Sequence, residues 1–314
     1  MSFGLLSGLL WGLDTVLLGI VLSMSNFTAT DQVIFLAPFI STFFHDVFSS
    51  MWMFLYLLTK GKIKKTLSSM KSRSGLFIML GALLGGPVGM TGYLLAIKYL
   101  GPAYTAIISS LYPALGALLS YFFLKEKIKR SNVVGLFISI IGIIILGYSP
   151  QGMPSHFLIG FVFALLCVLG WSSEAVICSY GMKDNEITPD QSLFVRQLTS
   201  ALTYGIIIIP ILEGGLFVRQ SLTDISIVLI IFTALAGSLS YSFYYKAIHK
   251  IGATKSMSLN ITYSAWAIIF GVMLQGSELD FKSIICCILI MVGSIMAAGD
   301  LSEFKILNKY RRNL

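Results

Sequence analysis

Apolar residues fall along the chain in long blocks, and each block ends at a cluster of turn formers or charges. A helix needs about 20 mostly apolar residues to cross the hydrocarbon core of a bilayer. Cut at those clusters, the pattern predicts ten spans: 3–24, 33–58, 75–99, 103–124, 132–148, 157–182, 188–212, 225–249, 253–275 and 281–298. The first block has no basic leader and no small-residue cleavage site, so it is read as a retained helix rather than a signal peptide. The connections are short and leave no room for a soluble domain.

Composition agrees. Hydrophobic residues make up 56% of the chain, charged residues 11%, and the mean hydropathy is +0.85; soluble domains carry roughly 25% charged residues. The expected class is an all-α membrane protein. The 22 lysines and arginines then become a topology signal. With the N-terminus placed in the cytoplasm, eighteen of them gather on the inside, in groups beginning at Lys60, Lys125, Lys183, Lys246 and Lys305. Only Lys98, Arg219 and Lys282 fall outside, while Arg196 lies within a span. The positive-inside rule describes such a bias, so both termini are expected in the cytoplasm. The same count accounts for the basic pI through lipid headgroups and leaves no stripe for nucleic acid. Cys167, Cys178, Cys286 and Cys287 lie in spans without metal-ligand spacing and read as small buried hydrophobes. No metal and no cofactor is expected.

An internal repeat organises the ten spans. Trp11-Gly12-Leu13-Asp14-Thr15-Val16 lies over Trp171-Ser172-Ser173-Glu174-Ala175-Val176 at an offset of 160. At an offset of 151, Tyr93, Gly101, Tyr112, Ala114 and Gly142 fall on Tyr244, Gly252, Tyr263, Ala265 and Gly293. Two halves of five spans, 1–150 and 151–314, are the economical reading. Because five is odd, the halves enter the membrane from opposite sides. Such 5+5 inverted repeats are an architecture of secondary transporters, with the site near the midplane between the halves.

Ionisable residues inside a bilayer are costly and are functional candidates by default. Here they are Asp14, His45, Asp46, Glu174 and Arg196. Residues three or four apart share a helix face, so Trp11 with Asp14, and Trp171 with Glu174, each present an indole beside a carboxylate. Asn260, Tyr263 and Trp266 form a similar stripe in the ninth span, Tyr241, Tyr244 and Tyr245 another in the eighth, and Tyr112 is the repeat partner of Tyr263. Converging on one cavity, these residues would form an aromatic box with an acid in its wall. Aromatic faces attract cations by about 0.5–2 kcal/mol per contact, and quaternary ammonium is their best-known ligand. Three alternatives stay open. Single aromatics can belong to interfacial belts; Glu174 can be held by Arg196 as a structural ion pair; His45 and Asp46, pointing in different directions, can carry a coupling proton or simply be satisfied by neighbouring helices. Gly81, Gly85, Gly86-Pro87, Gly89 and Gly92 crowd the third span, where they permit close packing or a break.

The segment Leu111-Tyr112-Pro113-Ala114-Leu115, with Leu124-Lys125-Glu126-Lys127 at the end of the fourth span, resembles the EamA-type drug/metabolite transporter superfamily. More narrowly, FGLLSGLLWGL at 3–13, GGPVGM at 85–90, AIKYLG at 96–101 and GWSSEAV at 170–176 resemble the bacterial LicB-type choline transporters. The resemblance implies uptake of choline across the bacterial inner membrane, driven by a proton or the membrane potential. It also implies an aromatic cage, carried onto Trp11, Tyr112, Trp171, Glu174, Tyr244, Tyr263 and Trp266. Asp14 is a second acid outside that pattern, and with His45, Asp46 and Arg196 it stands as a coupling or gating candidate. Two other functions stand beside choline uptake: an exporter of amino acids or drugs on the same fold, and a membrane enzyme. The scattered His45, His156 and His249 offer no nucleophile-and-base constellation for the latter.

Overall fold

The computed structural model describes residues 1–148, 156–276, 278 and 280–298. The boundary expected at 150/151 and the basic tail with Lys305, Lys309, Arg311 and Arg312 lie outside the described residues.

Ten principal helices match the ten blocks: α1 Ser2–Leu22, α2 Asp31–Thr59, α3 Arg73–Leu100, α4 Thr105–Leu124, α5 Arg130–Gly147, α6 Phe157–Gly181, α7 Pro189–Ile211, α8 Ser226–Ile251, α9 Ala253–Gln275 and α10 Phe281–Ala298. Among the described residues, nine are long and apolar enough to cross a membrane, and α5 is an apolar helix slightly below that length. At about 1.5 Å per residue, its 18 residues still approach the thickness of a hydrocarbon core. Many of the large apolar side chains turn outward, such as Phe123, Leu158, Ile206 and Phe281, as expected where lipid rather than water is the solvent.

The helix pairing repeats between halves. Helix α1 packs on α8 and α9, and α6 packs on α3 and α4; α2 packs on α8, and α7 on α3. The pairs α2 with α7, α4 with α9 and α5 with α10 map onto themselves when each helix is exchanged for the one five places on. At the α5–α10 seam the repeat-related Gly142 and Gly293 remove side chains, so the backbones approach closely. Ser139 Oγ and Ser294 Oγ meet there at 3.1 Å.

The irregular backbone obeys the same symmetry. Helix α4 is interrupted at 110–111, restarting at Tyr112, and α9 at 261–262, restarting at Tyr263. Both interruptions stand 151 residues apart, as do the left-handed Lys125 (φ 59°) and Gly276 (φ 65°) that end these helices. The glycine-rich stretch of α3 is not a break. It is a π-helical segment, Leu84–Met90, around Pro87: widening the turn accommodates a residue that cannot donate and keeps the helix continuous.

Two polar ties join helices at one end of the bundle. The Glu126 carboxylate, just after α4, accepts from the amides of Ala253 (2.8 Å) and Thr254 (3.2 Å) at the start of α9, where exposed N–H groups favour an anion. Nearby on the same side, Lys246 of α8 pairs with Asp190 of α7 at 3.0 Å.

Candidate functional site

Near the middle of the bundle lies a hollow of about 440 Å³. Helix α1 contributes Trp11, α4 Tyr112, α6 Trp171, Glu174 and Ala175, α8 Tyr241 and Tyr244, and α9 Asn260 and Tyr263. Ring centroids of Trp11 and Tyr241 lie 4.8 Å apart, those of Trp11 and Tyr263 6.3 Å, and Tyr112 meets Trp171 edge-on at 5.7 Å. The helix interruptions place the two repeat-related tyrosines at this wall. The Tyr112 hydroxyl donates to Asn260 Oδ1 at 3.0 Å, and the Asn260 amide donates to Ser7 Oγ at 2.7 Å, tying α4, α9 and α1 together at the polar edge.

A second hollow, about 1220 Å³, shares Trp11, Trp171, Tyr241 and Tyr263 as a partition. It extends past Asp14, His45 and Tyr93 toward Leu22 at the end of α1, Pro38 early in α2 and Ile97 late in α3. It therefore runs to the end of the bundle opposite the ties at Glu126 and Lys246.

The ionisable residues form one buried chain. His45 Nε2 lies 3.1 Å from Asp14 Oδ1, and His45 Nδ1 lies 3.6 Å from Asp46 Oδ1. Asp46 Oδ1 is 3.5 Å from Arg196 Nη1, and Arg196 Nε donates to Glu174 Oε1 at 2.8 Å. The guanidinium also donates to Gln197 Oε1 at 2.7 Å and to the Tyr241 hydroxyl at 3.0 Å, and lies 4.6 Å from the Tyr241 ring centroid. Tyr245 donates to Glu174 Oε1 at 3.2 Å. Both hydrogen bonds to Glu174 fall on Oε1, while Oε2 lies against the bare Cα of Gly85, where any side chain would overlap the carboxylate. All five ionisable groups are buried, and in so dry a place charges persist only when paired.

Of the residues singled out from sequence, Trp11, Tyr112, Trp171, Glu174, Tyr244 and Tyr263 line the smaller hollow, and Asp14, His45, Asp46 and Arg196 line the larger. Trp266 lines neither. Its Cβ sits against Gly12 of α1, and its indole N–H has no acceptor among the described residues. A three-residue step falls about 60° short of a full helical turn, so the stripe 260–263–266 rotates away, and the interruption at 261–262 shifts its phase further. His45 and Asp46 also differ from expectation: although adjacent in sequence they converge, because the imidazole is long enough to reach an acid with each nitrogen. Tyr241, Asn260 and Tyr93 belong to the walls but were not among the singled-out site residues. Tyr241 and Asn260 stood in the aromatic stripes and Tyr93 in the repeat, which was the available signal.

A ten-helix, pseudo-symmetric bundle with a buried polar cavity between its halves is a multi-pass membrane transporter, and comparison with known proteins gives the family. Residues 1–148 and 158–299 both match the EamA-like transporter family. The chain belongs to that family. It is 36% identical over 296 residues to Protein LicB of Haemophilus influenzae, covering 94% of this chain and 95% of that one. It is 24% identical to an uncharacterized transporter of Clostridium kluyveri, covering 70% and 71%. A protein of known crystal structure shares the fold, with a TM-score of 0.71 at 17% identity over 94% of this chain and 95% of that one.

Proposed function

We propose that the protein imports choline or a closely related quaternary amine across the bacterial inner membrane by alternating access, both termini lying in the cytoplasm. The observation that carries this reading is the hollow itself: five helices from both halves turn aromatic rings, and one carboxylate, onto the same small space. A quaternary ammonium cannot donate hydrogen bonds, so π-faces and a nearby anion are what can hold it.

Charge accounting supports a cation as cargo. Asp14, Asp46 and Glu174 outnumber Arg196 by two negative charges when His45 is neutral. One organic cation and one proton on His45 bring the cluster to neutrality, which is what crossing a low-dielectric barrier favours. In this reading Asp14 and Asp46 orient His45, and the ligand-loaded, protonated form is the one that rocks between sides. The two halves, 1–150 and 151–314, move about the interruptions at 110–111 and 261–262. The larger hollow opens toward the side poor in lysine and arginine, the side from which an importer takes its substrate, and the ties at Glu126 and Lys246 close the other side.

Uptake of labelled choline into proteoliposomes tests this. The wild type is expected to show saturable uptake, and Glu174→Gln to lower it by more than about 100-fold. Full uptake by that variant would remove the acid from the mechanism. Transport of amino acids but not choline would favour the exporter reading.

A further inference from the structure

A trimethylated nitrogen can carry a neutral tail, as in choline, or an anionic one, as in glycine betaine. Which tail fits depends on the charges facing it. Around the smaller hollow Glu174 is the one charged lining residue among those described, and its charge is negative. Arg196 lines the larger hollow instead, and its donors are committed to Glu174, Gln197 and the Tyr241 hydroxyl, with Asp46 alongside. The guanidinium lies 4.6 Å from the Tyr241 ring centroid and reaches the smaller hollow's lining through its bonds to Glu174 and to the Tyr241 hydroxyl. His45 is likewise held between Asp14 and Asp46. At the polar edge, Tyr112 and Asn260 offer only neutral hydroxyl and amide groups.

From this arrangement we infer that the site selects by tail charge: it accepts quaternary amines with a neutral tail and rejects zwitterions of the same shape. The inference rests on the cage reading of the hollow. A substrate carboxylate there would meet Glu174 rather than an unpaired cation, and like charges brought together out of water weaken binding steeply. A neutral hydroxyl or ester meets no such penalty. The ion pair of Arg196 with Glu174 therefore acts as a specificity element: it denies this guanidinium to an anionic tail while Glu174 remains the charged residue of the wall.

The test is calorimetric titration of the purified wild-type protein with choline, glycine betaine and betaine methyl ester, which is slightly larger than betaine but lacks its carboxylate charge. Choline is expected to bind, the ester to bind within about tenfold of choline, and betaine to be weaker by more than about 100-fold. Betaine within tenfold of choline would overturn the selectivity while leaving the cage reading intact. An ester as weak as betaine would make size the discriminator and overturn it equally. Choline failing to bind would bring down the cage reading and this inference together.

Discussion

Helices α1 and α6 carry the same tryptophan-to-acid spacing, yet their acids are neutralised by unlike partners. Glu174 is held by a guanidinium, whose charge is permanent, and by a phenol. Asp14 is held by His45, whose charge depends on a bound proton. Each acid is backed by a glycine from the helix that packs against it, Gly85 for Glu174 and Gly237 for the Asp14–His45 contact. The geometry has been duplicated and the chemistry has not. The second half pairs its acid with a permanent cation, and the first half pairs its acid with a histidine whose charge depends on a proton, an asymmetry that the proposed coupling would use.

The sharpest way to break this comparison is to remove each partner in turn. Arg196→Leu leaves Glu174 and Asp46 buried without their cation and is expected to destabilise the protein by about 3–5 kcal/mol, read as a fall in the detergent melting temperature. His45→Gln keeps a donor for Asp14 and is expected to cost about 1 kcal/mol. Equal losses would mean that the two acids are not held differently.

Transport should separate them as well. If His45 carries a proton inward with the cation, wild-type uptake rises as the outside is made more acidic than the inside, because proton entry then drives the cation. His45→Gln is expected to flatten that profile, and a preserved slope in the variant would move the proton elsewhere. Smaller effects are expected from the glycines. Gly237→Ala pushes a methyl into the imidazole and should lower uptake several-fold with its pH dependence altered, whereas Gly85→Ala crowds Glu174 and should weaken choline binding without changing the pH dependence.

Much of the architecture was legible because membrane crossing imposes a length that composition reveals. The spans 253–275 and 281–298 coincide with α9 and α10, and the other eight lie within a few residues of theirs. The short-range part of the site was legible too: Trp171 and Glu174 are one helical turn apart, and the offset of 151 foretold that Tyr112 and Tyr263 occupy related places. What could not be read depends on tertiary geometry. His45 meets Asp14 across 31 residues of sequence, and no spacing rule encodes that contact. Trp266 lies off both hollows because a three-residue stripe drifts around a helix, and an interrupted helix drifts further. The crowded glycines of α3 indicated irregular backbone, but not whether it would break or widen into π turns; packing against α6 keeps the helix continuous.

The central claim is that rings from both halves grip one cation. Titrating choline into purified wild type, Trp11→Ala and Trp171→Ala tests it with one variant from each half. Loss of one cation–π wall costs about 1–2 kcal/mol, so each variant is expected to bind choline about 5- to 30-fold more weakly than wild type. Undiminished binding in either variant would contradict the account, because that half would then contribute nothing to the site.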